Sequence, residues 1–283
     1  MYTRAEHRGF EKIRVGGWTV LVSSDFGKAS ESLFPPFGQT DGVRGPFGEV
    51  PASDFARVFK CSVVFRGWCH RLYVKQFLFR STWDFLKHIF RASRAKRAFF
   101  GSLMLAEQGF FAAETVALGE RGFGPLCTSS FLITRELVGA EDLYCCFDGK
   151  NKDIVCKSPG AKRRFIRALG ETIGRMHRSG IFHGDLRAGN VFAKSSNGTW
   201  RFFFLDNERT GRFGVLPSRL RLKNLVQLNM LQSEAVSLTD RMRFFKAYLA
   251  QNSDVRNRWK ELARRTVIKT RRRLQHRSCG DML

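Results

Sequence analysis

The sequence predicts an α+β chain in two parts, a small antiparallel β-rich lobe over residues 1–137 and a mainly helical lobe over residues 138–283. Three observations carry that expectation. Short apolar runs bounded by turn residues fill the first half. In the second half Phe165, Leu169, Ile173 and Met176 recur every three or four residues, as one face of a helix does. Beyond Asp206 the pattern stays helical almost to the C-terminus.

Residues 1–58 are rich in glycine and phenylalanine, with turns at 35–38 and 42–48 and no clear helix. Residues 57–65 and 70–77 read as a strand pair joined by the turn at 66–69, with Val74 and Lys75 near the end of the second strand. Helices are expected over 82–90 and 92–108, the second closed by Gly109. Extended chain follows over 110–122, and a buried strand over 130–138 runs into Gly139. The helix over 161–179 ends at Gly180. Three more helices are expected over 217–231, over 238–251 with Ser237 or Thr239 as its cap, and over 254–276.

With 49 Lys and Arg against 25 Asp and Glu, the formal charge is +24, which attracts polyanions of any kind. A hydrophobic content of 43% with 28 Phe supplies a core. The seven cysteines contain no CxxC pair and no histidine at zinc-ligand spacing, which points to a reducing compartment. The N-terminus lacks an apolar segment followed by a cleavage site, and no apolar run reaches the ~18 residues that span a bilayer. A cytoplasmic protein is expected, lying on a membrane without crossing it.

The stretch from Ile181 to Val191, with Asp206 after the run Phe202–Leu205, carries the chemistry. Phosphoryl transfer from ATP in the protein-kinase fold uses an Asp two residues after a His and an Asn five residues later, and a second Asp beyond a hydrophobic strand. Asp185, Asn190 and Asp206 stand at those spacings after His183. Asp185 is the candidate base, and Asn190 and Asp206 are candidate oxygen ligands for Mg²⁺. The same residue types also build tight turns. Arg187 could reach the transferred phosphate or an anionic substrate, or lie solvated on the surface. His183 is expected to shape the loop rather than move a proton.

Residues 183–191 together with Leu205–Thr210 resemble the lipopolysaccharide kinase family, whose members phosphorylate heptose or Kdo of the inner core and share the protein-kinase fold. The likeness covers roughly residues 55–275 and includes 67–77, 83–90, 119–122, 128–137, 219–225 and 238–249. It implies a two-lobed protein-kinase-like fold in which Lys75 anchors the ATP phosphates and assists catalysis. Arg135, Glu136 and Leu137 would form the hinge that meets adenine. ATP and Mg²⁺ are the implied cofactors, and the implied acceptor is a lipid A and inner-core glycolipid.

The chain also departs from the pattern. Ala98 stands where related enzymes place the Glu that holds the lysine, Gly184 replaces the Arg of protein kinases, and Asn207-Glu208 replaces Phe-Gly. The last two argue against control by activation-loop phosphorylation. Gly42, Gly45 and Gly48 are a weak match to a phosphate-covering loop. Ten Lys or Arg between residues 256 and 277 face the single acid Glu261, a density suited to an anionic cytoplasmic-leaflet surface. Three functions stay open: a lipopolysaccharide core kinase, a kinase with a protein or small-molecule acceptor, and a non-catalytic pseudokinase or polyanion-binding protein. Nucleic-acid binding rests on charge alone, without a reading motif.

Overall fold

The computed structural model describes residues 9–29, 48–50, 56–65, 67–78, 91–123, 126–148, 155, 158–196 and 198–280. The expected turns at 35–38 and 42–47, with Gly42 and Gly45, and the expected helix over 82–90 lie outside the described residues. The chain divides into two compact units, Met1–Leu103 with Ala113–Leu137, and Met104–Ala112 with Val138–Leu283.

In chain order come β1 (Phe10–Val15), β2 (Trp18–Ser23), β3 (Gly48–Val50), β4 (Ala56–Phe65), β5 (Trp68–Phe77) and α1 (Arg94–Glu107). The last turn of α1 and β6 (Phe111–Ala112) belong to the second unit, and β7 (Thr115–Phe123) and β8 (Leu126–Arg135) return to the first. The first unit is a seven-stranded antiparallel sheet in the order β1-β2-β7-β8-β5-β4-β3. Period-two alternation gives it two apolar faces. Val20, Val22, Leu72, Val74, Phe131 and Ile133 cluster on one, while Leu21, Phe77, Leu118 and Leu132 pack against Ala95, Ala98 and Phe99 of α1 on the other.

The β1–β2 hairpin was not foreseen, although the sequence carries its signal. Gly16 and Gly17 have φ of 55° and 80°, the positive values that a two-residue hairpin turn asks of both its residues. Gly119 has a different reason: a Cβ there would meet the Phe131 ring at 2.1 Å, so only glycine lets that ring lie across β7. At the end of α1, Gly109 at φ 76° makes the expected cap, with Phe110 N–H donating to Leu105 O (2.9 Å) and Gly109 N–H to Ala106 O (3.0 Å). The strand expected over 130–138 is displaced. It starts at Leu126 and stops at Arg135; one further N–H, that of Glu136, bonds Arg71 O at 2.9 Å, and Val138 is already exposed.

The second unit continues with β9 (Glu141–Asp142), α2 (Leu143–Asp148), α3 (Pro159–Arg178), β10 (Ile181–Phe182), β11 (Val191–Ser196), β12 (Thr199–Phe204) and β13 (Gly211–Arg212). Then come α4 (Ser218–Asn229), α5 (Leu238–Ala250) and α6 (Trp259–Gly280). Its strands form a four-stranded sheet, β6-β12-β11-β9, and the pair β10-β13.

Helix α3 starts two residues before the expected position because Ser158 caps it, accepting the Ala161 N–H at 3.1 Å, and Pro159 suits its first turn. Its buried stripe of Phe165, Leu169, Ile173 and Met176 is the one read from the sequence. Helix α5 crosses α3 closely: a Cβ at Gly170 would stand 2.4 Å from Phe244 O, and one at Gly174 2.9 Å from Tyr248 O. Of the two candidate caps for α5, Ser237 serves, in a reciprocal box with Asp240. Residues 253–258 form a 3-10 turn, so the last helix begins at Trp259 rather than 254. The Arg221 guanidinium, bonded to Asp254 Oδ2 at 2.8 Å, fixes that turn.

Candidate active site

The site in the second unit is built by two local devices. Strand β10 delivers the buried Ile181 and Phe182, then the chain turns through 183–187 into a short 3-10 segment, Ala188–Asn190, and enters β11. The β11–β12 hairpin pairs Val191 with Phe204, and Leu205 N–H donates to Asn190 O at 2.9 Å. Asn190 and Asp206 therefore leave the same end of this hairpin.

Asp185 is held on both carboxylate oxygens. Gln227 Nε2 (3.0 Å) donates to Oδ1, which also pairs with Arg187 Nε (2.9 Å), and Asn190 Nδ2 donates to Oδ2 (3.2 Å) and to the Asp185 carbonyl (2.9 Å). With its amide nitrogen committed in this way, Asn190 has its oxygen left for a cation. Asp206 has φ 59° and ψ 52°, and among the described residues no other non-glycine has positive φ. That conformation costs on the order of 1 kcal/mol and is characteristic of functional sites. Asn207 supports it from behind, its Nδ2 donating to Phe204 O at 3.0 Å.

His183 is fully buried, and its bonds fix its tautomer. Nδ1 accepts the Asp185 N–H at 3.2 Å, so Nε2 carries the proton and donates to Leu205 O at 3.0 Å. Burial holds the ring below its ordinary pKa against the opposing pull of Asp206 and Asp185. A neutral imidazole with both nitrogens engaged ties the Asp185 loop to the end of β12.

Helix α4 was expected from the sequence, but its Asn224 and Gln227 were not among the candidate site residues. Asn224 Oδ1 accepts the His183 N–H (3.1 Å) and bonds His177 Nε2 (3.2 Å), while its Nδ2 donates to His183 O and to Gln227 Oε1 (3.1 Å). Gln227 Oε1 accepts the Leu186 N–H at 3.3 Å. This pair, one helical turn apart, grips the backbone on either side of Asp185 and the carboxylate itself. Behind it Arg221 donates to Tyr248 OH (2.8 Å), which bonds His177 Nδ1 (3.0 Å). The whole chain of contacts from Arg221 to Asn224 is buried.

Burial, with the charge of Arg221, pushes the His177 ring from 6.5 down to about 3, and burial pushes the Tyr248 hydroxyl up to about 12. An unfolded chain protonates His177 below 6.5, whereas the folded one does not until about 3, so stability falls as pH drops through that window. By pH 5 His177 alone costs about 2 kcal/mol. Urea denaturation at pH 7.5 and pH 5 measures it, and an unchanged stability contradicts the neutral buried ring.

Gly184 also has a local reason. A Cβ there would lie 2.0 Å from Arg209 Cβ and 2.7 Å from Arg209 O, so the Arg of protein kinases has no room, and Arg209 stands against Gly184 instead.

Lys75, Glu136 and Leu137 stand in the first unit. Lys75 lies opposite Val58 and Leu132, on the face that packs α1, with Nζ 5.2 Å from the Phe77 ring centre. Ala98 is buried on that same face, where a Glu would be forced into the apolar layer. The Glu136 carboxylate pairs with Lys60 (2.6 Å) and Arg71 (2.7 Å), which holds the Lys60 ammonium above its ordinary pKa. Leu137 is half-buried.

Residues 56–248 match the family model described as lipopolysaccharide kinase (Kdo/WaaP). The chain is 30% identical over 151 residues to the lipopolysaccharide core heptose(I) kinase WaaP of Pseudomonas aeruginosa, an alignment covering 51% of this chain and 55% of that one. To the Escherichia coli protein of the same name it is 31% identical over 144 residues, covering 48% of this chain and 52% of the relative. The chain thus spans about half the length of the curated relatives it matches. A solved structure, WaaP in complex with acyl carrier protein, superposes with a TM-score of 0.60 at 22% identity, covering 89% of this chain and 98% of that one. This likeness bears out the protein-kinase-like fold. Since the family match takes in the Lys75 strand, the Asp185 loop and the α4 clamp together, the chain belongs to the lipopolysaccharide kinase (Kdo/WaaP) family.

Proposed function

We propose that the protein is an ATP-dependent phosphotransferase whose acceptor is a sugar hydroxyl, heptose or Kdo, of the lipopolysaccharide inner core. The observation that carries this reading is the Asp185 carboxylate bonded to Asn190, which leaves the same end of the β11–β12 hairpin as Asp206, in a chain of this family. Asp185 orients the acceptor hydroxyl and takes its proton as the oxygen bonds to the γ-phosphorus and the bond from that phosphorus to the β-phosphate oxygen breaks, releasing ADP. Asn190 Oδ1 and the Asp206 carboxylate are hard oxygen donors that suit Mg²⁺, which supplies neutralisation of the phosphate charge when bound. Lys75 pairs the nucleotide phosphates and residues 135–137 meet adenine.

The acceptor lies in a membrane, and α6 suits its surface. Its Thr266 and Thr270 are buried, while Arg264, Arg265, Lys269, Arg271 and Arg272 are exposed with Val267 and Ile268 between them. No helix among the described residues is long and apolar enough to cross a bilayer. This combination favours peripheral binding at the anionic cytoplasmic leaflet. Purified protein with ATP and Mg²⁺ should phosphorylate heptosylated acceptor both in anionic vesicles and as soluble core oligosaccharide. Neutralising Arg264, Arg265, Arg271 and Arg272 should reduce the first activity ~10-fold or more and spare the second. Equal loss on both acceptors contradicts the membrane role, and wild-type inactivity on both contradicts the sugar kinase.

A second partner is supported by one observation. Helices α2 to α6 line an open, mainly apolar pocket of about 320 Å³, with Leu143, Phe147, Leu169, Leu228, Val236 and Phe245 among its walls. That volume suits an acyl chain, and the solved WaaP structure was obtained with an acyl carrier protein. Acylated carrier protein should raise Tm by about 5 °C and unacylated carrier should not. Equal shifts contradict use of the pocket.

A further inference from the structure

The groups around Asp185 are unequally charged. Arg187 pairs with its Oδ1, and Lys223, Arg209 and Arg273 lie close enough to one another and to Asp185 for Lys223 to feel the charge of each. Lys223 lies one helical turn before Gln227 on α4, on the side from which Gln227 reaches Oδ1, and its Nζ sits 5.1 Å from the Phe182 ring centre. Arg209 is planted there by the contact of its Cβ and carbonyl with Gly184. Arg273 comes from α6, which packs on α4.

Lys223 is partly buried, and among the described residues no carboxylate lies within ion-pair distance of it. Burial, then the charges of Arg209 and Arg273, lower its pKa against the pull of Asp185. Among the described residues Arg209 pairs with the buried Glu208 at 3.4 Å, and its own side chain is 63% exposed. Arg209 and Arg273 disfavour the charged form of Lys223, a like-charge cost that a bound anion would offset. They suit an anion that enters between them.

The flank identifies the ligand. Asn190 approaches Asp185 from Oδ2, so the proposed metal site and the nucleotide phosphates it serves lie on that side. The Oδ1 side, met by Gln227 and Arg187, is the side that carries the cations. Resting on the sugar-kinase reading, we propose that Lys223, Arg209 and Arg273 form an anion subsite beside Asp185. It takes a phosphate or carboxylate group carried by the acceptor, and so selects the hydroxyl that reaches the base.

Steady-state kinetics of wild type, Lys223→Gln, Lys223→Arg and Arg209→Gln/Arg273→Gln on heptosylated Kdo-lipid A test the proposal. The Gln variants should raise acceptor KM about tenfold, the cost of one charge-assisted contact, with ATP KM within twofold of wild type, and Lys223→Arg should recover most of the loss. Repeating the series on phosphatase-treated acceptor and on acceptor with its carboxylates amidated identifies the group, since the effect disappears with whichever charge the subsite holds. Unchanged acceptor KM, a rise in ATP KM instead, or an effect that survives removal of both charges overturns the subsite while leaving the kinase intact. A wild-type protein that transfers no phosphate overturns both.

Discussion

Replacing Asp185 by Asn should lower sugar phosphorylation by about 10³-fold while leaving ATP affinity within a factor of two, the split expected when a proton acceptor is lost and the nucleotide contacts remain. The substitution keeps the size of the side chain and an oxygen for Gln227 or Asn190, so the loop 183–190 keeps its shape. Single-turnover kinetics with nucleotide binding measured separately checks it. Near-normal turnover in a correctly folded Asp185→Asn protein rules out the base, and lost ATP binding shows that the residue serves the nucleotide instead.

Replacing Asn224 by Ala should cost about 3–5 kcal/mol of stability and reduce kcat as well. Three groups would be stranded in a buried place, the N–H and carbonyl of His183 and Nε2 of His177, and Gln227 Oε1 would keep only the Leu186 N–H. Gln227, no longer fixed, would release its grip on Asp185 Oδ1. Urea denaturation gives the stability term. The kcat loss should persist at temperatures where the variant is still fully folded, and a full-activity variant shows that the clamp is structural only.

The two effects differ in how far the sequence disclosed them. His183, Asp185, Asn190 and Asp206 were legible because their chemistry needs fixed short spacings on one loop and one hairpin. Asn224 and Gln227 were not, since they act on a loop 41 residues away and read in sequence as polar residues of an ordinary helix. Gly184 was visible as a departure from protein kinases, but its cause, the Arg209 backbone lying where a Cβ would be, exists only in three dimensions.

The fold divides the same way. The helix stripe from Phe165 to Met176 and the Gly109 cap follow from local periodicity and backbone geometry. The β1–β2 hairpin had its Gly16-Gly17 signal, obscured by a glycine-rich segment whose other glycines read as turns. Strand β8 was displaced by several residues because a strand's ends are set by its partners β5 and β7 and not by its own composition. Ala98 has become intelligible in packing terms, as part of the layer between α1 and the sheet.

The most direct test of the account is mass spectrometry of heptosylated Kdo-lipid A after incubation with the protein, ATP and Mg²⁺, alongside the Asp185→Asn variant. The wild type should add the mass of one phosphate to the glycolipid and the variant none in the same time. An unmodified glycolipid with the wild type, or equal phosphate from both proteins, contradicts the assignment of this loop as the catalytic centre of a sugar kinase.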